Sequence, residues 1–252
     1  MHRPRKRFGQ NFLVDPNTIE KLISAINPKS TDHMLEIGPG LGALTIPLLE
    51  KLDALEVVEI DRDLITNLET LKAQGYNLTI HQSDALKFDF SQTDSPRRIV
   101  GNLPYNISTP LIFHLIEHLD SIQDMHFMLQ KEVVDRICAQ SGDRNFGRLS
   151  VMVQVKCAAT NLFEIAPDKF DPEPKVTAAF ILLQANKQLL IPSELEAKFS
   201  EIVRHVFSQP RKTLANNLKK IFTTSQLEEL NINPTIRPQN IKIEEVIKLV
   251  QQ

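Results

Sequence analysis

The 252-residue sequence holds only two cysteines, Cys138 and Cys157, and no apolar run of membrane-spanning length. Two cysteines are too few for a thiolate metal centre or a disulfide scaffold, and both lie in apolar surroundings that suit buried free thiols. No metal site is expected. A transmembrane helix is excluded, because it needs roughly 18 or more consecutive apolar residues. The basic start, Met1 to Arg7, runs into Phe8-Gly9-Gln10-Asn11 rather than an apolar core, so a signal peptide is not expected and the cytoplasm is. A charge excess is missing too: 29 Lys and Arg face 31 Asp and Glu, giving a net charge of -2. No global field draws this chain to nucleic acid, and any such contact must use local patches. Internal repeats, low-complexity tracts and long heptads are absent, so a monomer is expected. What remains, 42% hydrophobic and 24% charged residues, is ordinary globular composition.

From about residue 32, short apolar strands alternate with amphipathic segments. Strands are read at 34–37, 54–60, 78–81, 98–100 and 125–129, and helices at 43–49, 63–71 and 111–119. Pro47 is tolerable only in the first turn of its helix. This alternation predicts parallel βαβ units, an α/β Rossmann-like sheet with helices on both faces. Residues 149–157 read as either strand or helix, with helix favoured; 160–165 and 178–183 are expected to form a closing antiparallel pair. A composition shift near 185–188 introduces a small all-helical domain with helices at 194–207, 211–222, 225–230 and 243–250. The expected domains are therefore 1–185 and 186–252.

Ligands of such sheets bind at the carboxyl ends of the strands. Four polar or glycine-rich clusters fall there: Gly38-Pro39-Gly40-Leu41-Gly42, Glu59, Asp84 and Asn102-Leu103-Pro104-Tyr105. The glycine loop fits G-x-G-x-x-G/A, and Glu59 lies 21 residues after Gly38, where a ribose-binding acid belongs. Alone, these do not separate a dinucleotide enzyme from an S-adenosylmethionine enzyme. Glu36 tilts the balance, since a carboxylate before the first glycine would repel a pyrophosphate but suits a cationic methionine end. Asp84 supplies an acceptor for an adenine amine; capping the next helix is the competing role for Glu59 and Asp84. Asn102-Leu103-Pro104-Tyr105 suits methylation of an adenine N6. The Asn102 oxygen and a loop carbonyl would hold the amine hydrogens, Pro104 would stiffen the loop, and Tyr105 would stack on a flipped base.

Several segments carry a family likeness: Arg5 to Leu13, Leu35 to Thr45, Glu59-Ile60-Asp61, Gly101 to Pro110, Met128 to Val133, Gly147 to Val151, Phe170 to Val176 and Arg211 to Leu214. The chain resembles the bacterial small-subunit ribosomal RNA adenine N6,N6-dimethyltransferases, the kasugamycin-resistance family, along nearly its whole length. The resemblance implies S-adenosylmethionine as cofactor and 16S rRNA in the small ribosomal subunit as substrate and partner. It implies that Asn11, Leu13, Gly38, Gly40, Glu59, Asp84 and Asn102 contact the cofactor or frame its pocket, and that Asn102–Tyr105 holds the target adenine. Phe12 and Phe170 become candidate stacking partners, with core packing as their competing role. Asn11 stands where many members carry histidine, and Thr177-Ala178-Ala179 where Asp-Ser-Ala is usual.

Net charge conceals segregation. Arg3, Arg5, Lys6 and Arg7 form one acid-free segment; Arg204, Arg211, Lys212, Lys219 and Lys220 make residues 204–220 a second, counting +5. In a base-modifying enzyme these are the expected phosphate contacts. The rivals are a large-subunit rRNA methyltransferase conferring macrolide resistance, a DNA adenine methyltransferase, a non-catalytic ribosome-assembly factor and a nicotinamide oxidoreductase. Leu103 and the Arg-Lys-Arg-Phe-Gly-Gln start favour the small-subunit enzyme over the large-subunit one, and a DNA adenine methyltransferase is disfavoured because its loop usually carries proline directly after the first residue.

Overall fold

A computed structural model describes residues 11–186 and 191–252. The chain order is β1 (Phe12–Leu13), α1 (Pro16–Ile26), β2 (Met34–Ile37), α2 (Thr45–Leu49), β3 (Leu55–Glu59), α3 (Arg62–Ala73), β4 (Leu78–Gln82), β5 (Arg97–Asn102), α4 (Ser108–Ile116) and β6 (Ile122–Gln130). Then follow α5 (Lys131–Cys138), α6 (Arg148–Gln154), β7 (Cys157–Ile165), β8 (Phe170–Asp171), β9 (Ala178–Ala185), α7 (Glu196–Val206), α8 (Leu214–Leu218), α9 (Thr224–Glu229) and α10 (Ile243–Val250). None of the described helices is long and apolar enough to cross a membrane.

The main sheet has the order β4-β3-β2-β5-β6-β9-β7, and the pairs from β4 to β6 are all parallel. β2 is buried at all four residues, as a central parallel strand covered on both faces must be. The chain leaves β2 for β3 on one side and returns to β5 on the other. That reversal opens a crevice at the carboxyl ends of β2 and β5, the standard ligand position of such sheets.

Helix starts follow local chemistry. Asp15 caps α1 by accepting from the Thr18 N–H at 2.8 Å, Pro16 occupies the first turn, and Leu22, Ile23 and Ile26 form the buried stripe. Pro47 falls at the third residue of α2, within its first turn. The sequence reading did not place α1 or α5. The first had a legible signal in Asp15-Pro16 followed by apolar residues at helical spacing. Helix α4 starts three residues earlier than its apolar period suggests, because Pro110 is accommodated in the first turn. The ambiguous stretch 149–157 is helical over α6.

The described residues form two compact units, one of 11–134 and 160–185, the other of 135–159, 186 and 191–252. The break at 185/186 coincides with the composition shift, but 135–159 joins the C-terminal unit instead of the sheet domain. Packing gives the reason: Phe146, Val151 and Val155 share one buried cluster with Phe199, Val203 and Leu249. The expected helix 211–222 is cut down to α8. Its first-turn N–H groups go outside the helix, Leu214 to the Ile236 carbonyl and Ala215 to that of Pro234, and the buried Asn217 amide bonds the Val206 carbonyl.

Candidate active site

The crevice is a cavity of about 280 Å³ walled by β1, by the ends of β2, β3 and β5, by Met128 of β6 and by the segments that follow β2, β3, β4 and β5. Asn11, Phe12, Leu13, Gly38, Gly40, Glu59, Asp84, Asn102, Leu103, Pro104 and Tyr105 all line it, together with Glu36. Residues spread over 95 positions of sequence are thus brought to one wall.

Glycine at position 40 answers two demands. Its φ of +60° favours a residue without Cβ, and a Cβ there would sit 3.1 Å from the Phe12 ring, so glycine lets the loop pack directly against Phe12. Gly101 meets a third demand that spacing alone did not single out. A Cβ on it would lie 2.5 Å from the Ile37 carbonyl, so only glycine lets β5 lie this close to the end of β2.

The acids of the cavity are short of cations among the described residues. Glu36 is 2% exposed, and Thr45 Oγ1 donates to its Oε2 at 2.7 Å. Burial pushes its carboxyl up to about 8; the Thr45 hydroxyl opposes the shift and the nearby Glu59 adds to it. Burial also raises Glu59, against the backbone N–H groups of Asp61, Ile60 and Gly40. Glu59 Oε1 takes the Ile60 and Asp61 N–H groups at 2.8 Å each. Asp84 Oδ1 accepts from the Leu86 N–H at 3.0 Å, so this acid does cap the following turn, and its second oxygen has no partner among the described residues. A buried carboxyl bonded only to a hydroxyl, beside acids with spare acceptor capacity, fits a ligand that brings a cation, hydroxyls and an amine.

The loop after β5 is pinned at several points. The Leu103 N–H donates to the Met128 carbonyl at 3.2 Å, the Pro104 carbonyl accepts from the Ile107 N–H, and the Tyr105 carbonyl accepts from Ser108 Oγ. The Leu103 carbonyl accepts nothing among the described residues. Asn102 Nδ2 donates to the Asn11 carbonyl at 2.8 Å, and its Oδ1 has no partner among the described residues. Two acceptors therefore stand uncommitted at adjacent residues. Burial raises the Tyr105 hydroxyl above its ordinary value, so the ring stays neutral.

One expected residue is not brought here. Phe170 is 4% exposed in the core cluster with Leu13, Ile165 and Phe180 and does not line the cavity, which corrects its assignment as a stacking partner. Its ring is used up in packing under β1. Arg204, Arg211 and Lys212 are exposed on the C-terminal unit; Arg5, Lys6 and Arg7 lie outside the described residues. No group of three or more metal-ligating side chains occurs among the described residues.

The fold and this cavity define a methyltransferase of the Rossmann-like class. The profile of the ribosomal RNA adenine dimethylase family matches residues 1–252, and the chain belongs to that family. It is 50% identical to the ribosomal RNA small subunit methyltransferase A of Acinetobacter baylyi, over 100% of this chain and 93% of that one. To the protein of the same name from Coxiella burnetii it is 51% identical, over 97% and 96%. Among solved structures, a dimethyladenosine transferase from Plasmodium falciparum superposes with a TM-score of 0.82 at 29% identity, covering 94% of this chain and 95% of that one. The 23S rRNA methyltransferase ErmE shares the fold, with a TM-score of 0.76 at 22% identity over 96% and 98%. The protein is a ribosomal RNA adenine dimethyltransferase, an enzyme class whose methyl donor is S-adenosylmethionine.

Proposed function

We propose that this chain dimethylates the N6 amines of adenines in the 16S rRNA of the small ribosomal subunit, acting as a cytoplasmic monomer, with the cofactor and the target base meeting in the cavity at the β2–β5 crevice. The observation that carries this reading is the meeting of two uncommitted acceptors, Asn102 Oδ1 and the Leu103 carbonyl, with the cation-poor acids Glu36, Glu59 and Asp84 in one cavity. Relatives at about half identity bear the small-subunit name.

S-adenosylmethionine supplies an electrophilic methyl group on a sulfonium. Glu36 faces its cationic amine end, Glu59 accepts from the ribose hydroxyls, and Asp84 accepts from the adenine amine; Asn11, Leu13, Gly38 and Gly40 frame the pocket. Asn102 and the Leu103 carbonyl take the two hydrogens of the target N6. Those bonds pull the nitrogen toward a pyramidal shape and aim its lone pair, which supplies the alignment an in-line transfer needs. Once the methylated nitrogen has shed one proton to solvent a single N–H remains, and one acceptor suffices to hold the monomethyl amine for the second transfer. Tyr105 and Phe12 offer apolar faces to the flipped base, a contact worth about 1–3 kcal/mol per base. Arg5, Lys6, Arg7, Arg204, Arg211 and Lys212 contact phosphates.

Nucleoside mass spectrometry after incubation with labelled S-adenosylmethionine tests this. Dimethyladenosine should form on unmodified small subunits and not on large-subunit RNA. Asn102→Ala should cut the rate by about 10²–10³. Label on large-subunit RNA instead would overturn the substrate assignment.

A further inference from the structure

A side-chain amide has two faces, and only one serves an amine substrate. If the Asn102 amide turned by 180°, its N–H groups would point at a target nitrogen that is itself a donor. Something must hold the orientation. In the structure Asn102 Nδ2 donates to the Asn11 backbone carbonyl at 2.8 Å across 91 residues of sequence. A carbonyl can only accept, so this bond exists in one amide orientation and not in the other. That orientation leaves Oδ1 as the group for the substrate.

The carbonyl belongs to the residue just before β1, a two-residue strand with no stability of its own. Its position comes from β8. Phe12 pairs with Asp171 and Leu13 with Phe170, the Val14 N–H donates to the Lys169 carbonyl at 2.9 Å, and Lys169 Nζ lies 3.5 Å from Asp15 Oδ1. On the other side the Phe12 ring abuts Gly40. Phe170 is buried in the cluster that holds Leu13, away from the cavity wall.

We infer that β1 is a positioning strap, in which the Asn11 carbonyl fixes the Asn102 amide for catalysis and Phe170 is the buried pin that holds the strap in place. The inference rests on the role proposed above for Asn102. It also gives a reason for an amide at position 102: an aspartate there would keep the acceptor oxygens but confront the Asn11 carbonyl with no donor.

The test uses the 15N-labelled full-length protein. The Asn102 side-chain amide signal, assigned by its loss in Asn102→Asp, should be protected from exchange with solvent. Phe170→Ala should abolish that protection and lower kcat by about 10–100-fold, with a smaller loss of affinity for S-adenosylmethionine because Asn11 and Leu13 also frame its pocket, and Phe170→Leu should restore both protection and kcat. Phe170→Val replaces the alanine variant if that one does not fold. An unprotected Asn102 amide in the wild type, or a Phe170 variant that slows turnover with the amide still protected, overturns the inference. Loss of cofactor affinity equal to the loss in kcat also overturns it, since it marks general loosening. The two readings fail separately. An inactive wild type with a protected amide sinks the function alone, and an active wild type with an unprotected amide sinks the strap alone.

Discussion

The two edges of the parallel sheet treat the same residue types in opposite ways. At the amino ends of the strands every buried acid is met by cations. Glu56 accepts from His33 and His81 at 2.7 Å each and from Arg97 at 3.1 Å. Arg98 bonds both oxygens of Asp124 at 3.1 Å, Asp32 at 2.6 Å and the Ile26 carbonyl at 2.7 Å, which ties the end of α1 to the sheet. Burial would raise Glu56 and Asp124, but the contacts from Arg97, His81 and His33 to the one, and from His126 and Arg98 to the other, win and lower both. At the carboxyl ends Glu36 and Glu59 are buried with no cation beside them among the described residues, and burial raises both. An edge that only holds the fold satisfies its charges internally; an edge that binds a ligand keeps capacity in reserve.

Removing a charge should therefore do different harm at each edge, and the largest effect on stability belongs at the amino ends. Arg98→Ala takes the guanidinium away from both Asp124 and Asp32 and should cost about 3–5 kcal/mol in denaturant unfolding. Methyl transfer by the fraction still folded should persist. A loss below about 1 kcal/mol would erase the contrast.

The second prediction uses pH. Glu36 titrates at about 8 in the folded protein and near its ordinary 4.5 when unfolded. Between those values the folded state holds a proton that the unfolded state does not. Its contribution is present at low pH and is lost as pH rises toward 8, by up to about 1.4 kcal/mol per pH unit. Glu56 and Asp124, with lowered pKa, act in reverse: their contribution is present above the unfolded carboxylate range and is lost as pH falls through their folded values. Glu36→Gln should flatten the decline toward pH 8 and leave the acid limb unchanged, as read from unfolding at several pH values. Calorimetry near pH 7 in buffers of different ionisation heat should show about one proton released on cofactor binding to wild type. The variant should release none and bind more weakly.

The two edges also differed in what the sequence disclosed. The carboxyl edge was legible because each strand there ends in a short polar or glycine cluster, and parallel strands bring their ends together whatever lies between them. Glu36, Glu59, Asp84 and Asn102 could each be named from one strand end. The amino edge had no such signature: His33, Glu56 and Arg97 sit singly, His81 reaches back to Glu56 from the fourth residue of β4, and 23 to 41 residues separate each partner from Glu56. The strap was illegible for a related reason. Two residues carry no periodicity, and β1 is held by β8 from far along the chain, so only the family likeness placed Asn11 and Leu13 at the site. The same likeness misplaced Phe170, whose motif position does not distinguish a ring at the cavity from one packed behind the strand that lines it. The grouping of 135–159 with the C-terminal unit was hidden because it depends on which helices share a core, not on any linker.

The C-terminal unit extends the comparison to the surface, where the expected effects are smallest. Arg211, Lys212, Lys219 and Lys220 are exposed within a run free of acids. Arg204 has an exposed Glu201 carboxylate 3.8 Å away, a contact that stabilises little. If this run keeps its charge in reserve for phosphate, as the cavity keeps its acids for a cation, its loss should show in binding and not in folding. Arg211→Ala and Lys212→Ala should each leave the melting temperature unchanged and weaken binding to small-subunit rRNA a few-fold, about equally across sequences. Each should also lower the slope of log K against log salt by about 1. An unchanged salt slope in both variants would mean that these cations are merely solvated, and the reserve principle would then stop at the sheet.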